Sequence, residues 1–585
     1  MAQWARMMAR EEKRTVNVVR FSFMSWLKKK EAVAATPKVV GGETEYGFQI
    51  EIPDVAVERS NIQLSHLLVT AYPPRVSLPA ASSSQESSQE LYDALLRGKV
   101  EQHWGERVPP FHSHFETPGQ DIRGVVSSRL PQSDDEYEVV ETRARRTVSI
   151  TEDLNKIIQH NHDRGGRSDR FLDTGDRLYV DHNHPELSFS EVISAKDAVR
   201  YQKAAHLRMN IARKNAQEAL RSSSNSLLQN AKLSVYAHNH DFAGHTFGSH
   251  ENYLLCRSVD PHYLITSVMP FFVSRIAFVG LGTLGDDMSY NKFSISQRAL
   301  FTVEQIGVQT THDRPIVNTR DEPHAERQRF YRHHVISGDA NHAEWALYLK
   351  YGTMMQLLKM IEDGALDRDK YVLQNPVEAM HAWSHDTTVK REWPLVQGNK
   401  KVTAAEHLAM YVDDMLSYTA SHGASDEEKD VLEKFSFIVQ GLMNDPLSLD
   451  SYLDWPLHYR LVEELRQKKG FDQSDNKLKN ISLRYSDINP ETSLYQKLVQ
   501  KGKVARIVTD EEILDAFVNP PSDTRAYIRG MAVKHFSEHL EGVSWDGFRL
   551  KGEDYLFNPL SGTKEQAEKL FTATTVDEFI QKLNE

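Results

Sequence analysis

The 585-residue sequence contains one cysteine, Cys256. A single thiol excludes an internal disulfide framework and fits a reducing cytoplasm. It lies in the apolar run Tyr253-Leu254-Leu255-Cys256, where a buried, inert thiol is expected rather than a nucleophile. An excess of positive charge is also lacking: a net charge of −12 argues against broad nucleic-acid binding. No run is long and apolar enough to span a membrane. The best candidate, Tyr263 to Gly282, contains Pro270 and Arg275 and reads as buried core. A Walker-type glycine-lysine loop is missing. Gly280-Leu281-Gly282-Thr283-Leu284-Gly285 matches the dinucleotide-binding glycine pattern, but Asp286 and Asp287 follow where a helix should open and pyrophosphate should sit. A tight loop is the expectation there.

What remains is ordinary globular material, 40 % hydrophobic and 26 % charged, in a length that allows roughly two to four domains. Residues 1–37 are basic, carry Lys28-Lys29-Lys30 and show no clear secretory signal; they read as a loosely ordered extension. Lys38 to Ile52 alternates like a strand. From about 55 to 170 runs a poorly patterned stretch, Ser- and Gln-rich at Ala80 to Glu90, with a short helix expected near Thr151 to Gln159. It reads as a long mobile insertion, a lid or gate beside a site. Helical patterns cover Ser190 to Asn230, Asn341 to Gly364 and Thr403 to Leu465, with a short strand at Lys232 to Ala237. Composition shifts near 491, so the domains expected are 1–37, 38–490 as the main body with the insertion, and 491–585 as a small C-terminal domain ending in a helix at Val576 to Leu583.

Two acidic segments carry the chemistry: Gly42-Glu43-Thr44-Glu45-Tyr46-Gly47 and Arg177-Leu178-Tyr179-Val180-Asp181-His182-Asn183-His184-Pro185-Glu186. In a strand alternate side chains share a face, which pairs Glu43 with Glu45 and Tyr179 with Asp181. Glu186 follows a proline, whose bend is expected to swing its carboxylate toward the same face. Crowded carboxylates require a cation or a proton, and hard oxygen ligands suit Mg2+. A magnesium-nucleotide site on a β-sheet follows. Histidines spaced by two (His160/His162, His182/His184, His238/His240) have zinc-ligand character, yet without cysteines solvated or substrate-facing rings are the ordinary reading. Gly248-Ser249-His250-Glu251-Asn252-Tyr253 places four polar side chains before a buried strand. In Asn318-Thr319-Arg320-Asp321-Glu322-Pro323-His324 and His334 to Asn341, Arg320 has the chemistry to neutralise phosphate oxygens, and His334 or Asn341 to donate to them.

Taken in order, these strings resemble the actinobacterial enzymes that attach or remove the prokaryotic ubiquitin-like protein Pup, the Pup ligase and the depupylase/deamidase. The resemblance runs from about Val39 to the C-terminus and includes Asn-Pro-Pro-Ser-Asp-Thr-Arg-Ala-Tyr at 519–527. Asp-His-Asn-His-Pro-Glu at 181–186, Asp454-Trp455-Pro456 and Ser544-Trp545-Asp546 resemble the depupylase branch. Departures from the family are His238 before the Gly244 loop, the longer insertion and the N-terminal extension.

The resemblance implies an α+β fold related to glutamine synthetase: a curved antiparallel sheet with flanking helices, plus a small C-terminal domain. It implies ATP (or ADP with phosphate) and Mg2+ as cofactors. Glu43, Glu45, Tyr179 and Glu186 would serve the metal, and Glu43, Tyr179, Glu186, His250 and Asn252 the nucleotide. Arg320, His334 and Arg525 would face phosphates, Trp545 would line the nucleotide pocket, and Asp181 takes the catalytic place. The implied reaction is cleavage of the isopeptide bond between Pup and a substrate lysine, or deamidation of Pup's C-terminal glutamine. Asp181, water and phosphate all stay open as nucleophile. The alternatives are a divergent relative cutting another amide, a Pup-type ligase, and a non-catalytic nucleotide-dependent scaffold. The expected partners are Pup or pupylated proteins, with no nucleic acid and no membrane, in the cytoplasm.

Overall fold

Strict alternation in one short strand organises the molecule. In β1, Val40–Glu45, the side chains of Val40 and Thr44 are buried while Glu43 and Glu45 are half-exposed. The computed structural model describes residues 38–585 apart from 59, 80–87, 112–145, 243, 285–292, 311–312, 399 and 473–474. The expected N-terminal extension, most of the Ser/Gln-rich stretch and the middle of the insertion therefore lie outside the described residues.

Five further strands join β1: β2 (Asp169–Phe171), β3 (Arg177–Asp181), β4 (His184–Val192), β5 (Ser249–Cys256) and β6 (Phe330–Val335). Their order is β6-β5-β1-β4-β3-β2, and every neighbouring pair is antiparallel. The antiparallel sheet with flanking helices expected from the sequence is the sheet the chain forms. Lys38 to Ile52, expected as one strand, is two. β1 ends at Glu45, and Gly47–Glu51 pairs instead with Lys232–Tyr236.

The face bearing Thr44, Leu187 and Phe189 is covered by α1 (Ala195–Arg221) and α2 (Glu344–Glu362). The helical pattern from Ser190 starts late because Ser190–Val192 completes β4; the Ser194 hydroxyl then accepts the Asp197 amide at 3.2 Å and opens α1. Gln202 on α1 donates to Thr44 Oγ1 at 3.1 Å, and Tyr351 on α2 meets the Phe189 ring edge-on at 6.1 Å. Ala343 cannot cap α2, so buried Asp454 does: its Oδ1 accepts the His342 and Ala343 amides at 3.1 and 2.8 Å. Beneath β5, Glu251 is fully buried and accepts both Arg275 terminal nitrogens at 2.7 and 3.0 Å.

Both ends of the insertion correct the expectation of a loosely patterned lid. Helix Asn61–Thr70 buries Leu64, Leu67, Leu68 and Val69 in the core, and helix Thr151–Asp163 extends the short one expected there. Its apolar side chains are few but all on one side, which a polar-rich composition conceals. Cys256, expected to be buried, is half-buried at the end of β5. Gly280 to Leu284 opens no helix: it follows helix Ile276–Val279, and Gly282 has a φ of +79°, but in place of the expected loop Thr283–Leu284 is a short strand paired with Phe293–Ser294, and Gly285 lies outside the described residues.

Near the C-terminus, α3 (Ala526–Phe536), the sheet β7-β8-β9 (Leu540–Ser544, Gly547–Leu550, Glu553–Leu556) and α4 (Val576–Asn584) enclose an aromatic core. Phe536 stacks on Phe579 at 4.5 Å, and Phe171 of β2 enters the same core. That contact sets Trp545 beside the main sheet, 5.0 Å from the Phe171 ring.

Candidate active site

Cross-strand register assembles the site. Glu43 lies opposite His250 on one side and Ser188 on the other; Glu45 lies opposite Glu186, which lies opposite Tyr179; Asn252 lies opposite His334. Directly opposed residues share a face, so one surface of the sheet gathers nearly every predicted polar residue. Glu186 arrives there by register. Pro185 sits within the ladder opposite Val180, and the bend expected from it is not what positions the carboxylate.

The carboxylates fall into two groups with opposite electrostatics. Glu43 accepts from Asn252 Nδ2 at 2.8 Å, lies 3.1 Å from His250 Nδ1 and 3.5 Å from Arg332. Burial pushes its carboxyl up, but the His250 hydrogen bond and the Arg332 charge outweigh burial and hold it well below the usual carboxylate range. Asn252 Oδ1 in turn accepts from Arg332 at 3.0 Å and lies 2.8 Å from His334 Nδ1. Burial, reinforced by Arg332, keeps His334 neutral by lowering its pKa well below the ordinary value.

Glu45, Asp181 and Glu186 form the second group, each offering an oxygen within 4.8 Å of the others. Glu186 is 2 % exposed, and burial followed by the charges of Glu43, Glu45 and Asp181 drives its carboxyl well above the usual range. Tyr179 donates its hydroxyl to Glu186 Oε1 at 2.6 Å, and Glu45 accepts the Gly248 amide at 2.7 Å. Three hard oxygen donors converge here against one ring partner, His182 Nδ1 at 2.8 Å from Asp181 Oδ2, and fit Mg2+. Glu43, His250 and His334 also lie within metal-binding reach of one another, but Glu43 is already neutralised.

Beside Glu43 a cleft opens, walled by Gly41, Asn252, His324, Arg332, Arg525 and Trp545. Trp545 lines it. Arg525 reaches it too, but its guanidinium donates to Glu191 Oε1 at 2.8 Å and to the Phe557 carbonyl. Glu191, clamped also by Arg529, is held down to about 2 by these guanidiniums against burial. Arg320 is not among the residues lining the cleft; it is 38 % exposed and 4.0 Å from Glu322. Asn341 is not in the site: it donates to the Val279 carbonyl and to Asp454 inside the core.

Arg332, His324, Arg177 and Glu191 escaped sequence reasoning. Arg332 had a usable signal, since it precedes His334 by two on a strand and so shares its face. Arg177 likewise precedes Tyr179 by two; its guanidinium lies 4.2 Å over that ring and chelates Asp169 at 2.8 and 3.0 Å. Glu191 had none. Alternation sets it with Leu187 and Phe189, but the β1–β4 register shifts between Val40 and Gly42, and the irregularity turns Glu191 to the cleft. The histidine pairs behave separately. His184 stacks on Phe247 at 4.5 Å while His182 turns to Asp181, and His238 and His240 are buried.

Residues 38–549 match the family model described as Pup-ligase protein. The depupylase of Acidothermus cellulolyticus is 33 % identical over 539 residues, covering 90 % of this chain and 95 % of its own. The Pup deamidase/depupylase of Mycobacterium tuberculosis is 37 % identical over 413 residues, 69 % of this chain and 80 % of its own. The Pup–protein ligase of Acidimicrobium ferrooxidans is 32 % identical over 457 residues, 77 % of this chain and 99 % of its own. Among solved structures, the Pup ligase PafA in complex with ADP superposes with a TM-score of 0.63 at 25 % identity, covering 79 % of this chain and 98 % of its own. The complex of PafA with Pup gives 0.66 at 23 % identity, covering 94 % and 92 %, a likeness of fold.

Proposed function

This chain belongs to the Pup-ligase protein family, and within it we propose that the chain is a nucleotide- and Mg2+-dependent amide hydrolase that removes Pup from substrate lysines and deamidates Pup's C-terminal glutamine. The observation that carries this reading is Asp181: a half-exposed carboxylate at the end of β3, against an oxygen cluster and on the same face as the cleft beside Glu43. The Asp-His-Asn-His-Pro-Glu string that holds it has the depupylase form.

Glu45, Glu186 and Tyr179 would hold Mg2+, with Glu43 at the border toward the cleft. Bound there, the metal would supply positive charge that offsets the carboxylates and the negative charge developing at the amide oxygen. His250, Asn252 and His334 orient Glu43 and would serve the nucleotide; Arg320 and Arg525 would serve its phosphates and Trp545 its pocket. Asp181 either attacks the amide carbonyl, expelling the protonated amine or ammonia and leaving an acyl-aspartate that water hydrolyses, or takes the proton of an attacking water as the same amine leaves. The working domains are 38–490 and 491–585, with 1–37 as an extension. Partners are Pup and pupylated proteins. Among the described residues no helix is long and apolar enough to cross a membrane, and the lone cysteine fits a cytoplasmic setting.

A carboxylate–amine ligase is the competing reading, favoured by the 32 % identity to the Acidimicrobium ferrooxidans ligase. One experiment separates the two. A Pup-conjugated protein is incubated with the full chain and Mg-ATP, and free Pup and ADP are quantified. The hydrolase releases Pup without ADP in proportion, and Asp181→Asn lowers the rate by about 10²-fold or more while still binding nucleotide. Conjugate that stays intact with the wild-type chain refutes the reading.

A further inference from the structure

Asp181 and His184 close the β3–β4 hairpin, leaving His182-Asn183 as a two-residue turn. His182 has a φ of +50°. The left-handed region suits glycine or asparagine, and in two-residue hairpins the first turn position is often glycine for this reason. Here asparagine comes second, and the strained position holds an imidazole directly after the reacting carboxylate.

The side chain accounts for what the backbone does not. His182 Nδ1 lies 2.8 Å from Asp181 Oδ2. An ionised carboxylate only accepts, so Nδ1 carries the proton and donates it. Holding one oxygen stops rotation of a carboxylate that is otherwise 39 % exposed and leaves the second oxygen for the chemistry. His184, two residues on, is stacked on Phe247 and cannot substitute.

We infer that His182 is a positioning residue, whose Nδ1–H fixes the Asp181 carboxylate for attack on the amide and whose left-handed backbone is retained because it delivers that bond. This rests on Asp181 being the reacting group, as proposed above.

The test uses the full chain and three variants. His182→Gly relieves the backbone and deletes the donor. His182→Asn keeps a left-handed-tolerant residue and restores an N–H at the Nδ1 position. His182→Ala deletes the donor without relieving the backbone. Release of Pup from a conjugate with Mg-ATP is measured for kcat and KM, alongside melting temperature. For His182→Gly the expected result is a kcat lower by about tenfold or more, KM within about twofold and an unchanged or raised melting temperature. His182→Asn returns most of the kcat, and His182→Ala loses both kcat and stability. A purely structural residue gives the reverse, with His182→Gly fully active. That result, or a His182→Asn as slow as His182→Gly, overturns the inference. A substrate-free readout keeps it distinct from the substrate assignment. The ring-nitrogen resonances of His182 should show a protonated Nδ1 in the wild-type chain and a redistributed proton in Asp181→Asn. A bare Nδ1 overturns the inference whatever the chain cleaves. Intact conjugate together with a protonated Nδ1 overturns the substrate assignment and leaves the positioning contact standing.

Discussion

Replacing Glu186 by glutamine should stabilise the metal-free protein while abolishing its response to Mg2+. Glu186 shares its cluster with Glu45 and Asp181, each offering an oxygen within 4.8 Å. Two full charges at that distance repel by about 3.5 kcal/mol at an effective dielectric constant of about 20. Burial first, and this repulsion after it, set the Glu186 carboxyl well above the usual range, so the folded protein keeps it protonated. Glutamine mimics the protonated acid and still accepts the Tyr179 hydroxyl, now at 2.6 Å from Glu186 Oε1.

The sign of the pH dependence follows. A carboxyl raised in the folded state binds a proton that the unfolded chain has already released, so wild-type stability falls as pH rises. The fall begins above the unfolded glutamate value of about 4.3 and continues to the raised folded value, at up to about 1.4 kcal/mol per pH unit. Glu186→Gln lacks that slope. Urea unfolding in EDTA, repeated from acid to alkaline pH, should show the two proteins equal near pH 4 and the variant pulling ahead above it. Adding Mg-ATP should stabilise the wild type and close the gap, with little effect on the variant. A variant that is less stable at every pH, or a gap that does not widen with pH, would refute the account of the cluster as uncompensated carboxylates.

Two further substitutions test the frame under the site. A Cβ on Gly42 would lie 2.3 Å from Phe189 Cε1 and 2.4 Å from the Tyr351 hydroxyl, so Gly42→Ala should cost about 1–3 kcal/mol and weaken nucleotide binding by displacing Glu43. Gly41→Ala, whose nearest neighbour is a carbonyl oxygen 3.9 Å away, should leave the melting temperature unchanged and so serves as its control. Glu251→Gln leaves Arg275 buried without its carboxylate and Lys350 without the charge 3.9 Å away, and should lower unfolding free energy by about 3–5 kcal/mol.

The sequence was legible where function depends on neighbours along the chain. Period-two alternation put Glu43 with Glu45 and Tyr179 with Asp181, and both pairs share the site face. Helix α2 and the C-terminal helix were readable from apolar spacing. What alternation cannot supply is the register between strands far apart in the chain, 207 residues for Glu43 and His250 and 82 for Asn252 and His334. Nothing local says that His250 lies opposite Glu43, or Asn252 opposite His334. The polar string at 248–253 was read as preceding a strand when it is the strand, because its alternate polar residues face the site and its Glu251 is buried by an ion pair. Glu191 was hidden for a related reason: the irregularity that re-aims it lies in the pairing, and pairing is invisible in a single segment.

The division of β1 between two groups also locates the demand for a cation. Glu43 and Glu45 are two residues apart on one face and chemically alike, yet their surroundings diverge. β5 and β6 bring His250, Asn252, His334 and Arg332 to Glu43, which is thereby satisfied by protein. The β3–β4 hairpin brings Asp181 and Glu186 to Glu45, so acidity accumulates there instead. On the proposed function, a nucleotide in the cleft beside Glu43 would meet donors for its oxygens, and a divalent ion would be drawn to the Glu45 side, where Glu45 and Glu186 converge on Asp181. The antiparallel order, with β1 between β5 and β4, sets the histidine, asparagine and arginine donors on one flank and the carboxylate cluster on the other. Moving either glutamate by one residue along β1 would turn it onto the α1–α2 face and dissolve that separation.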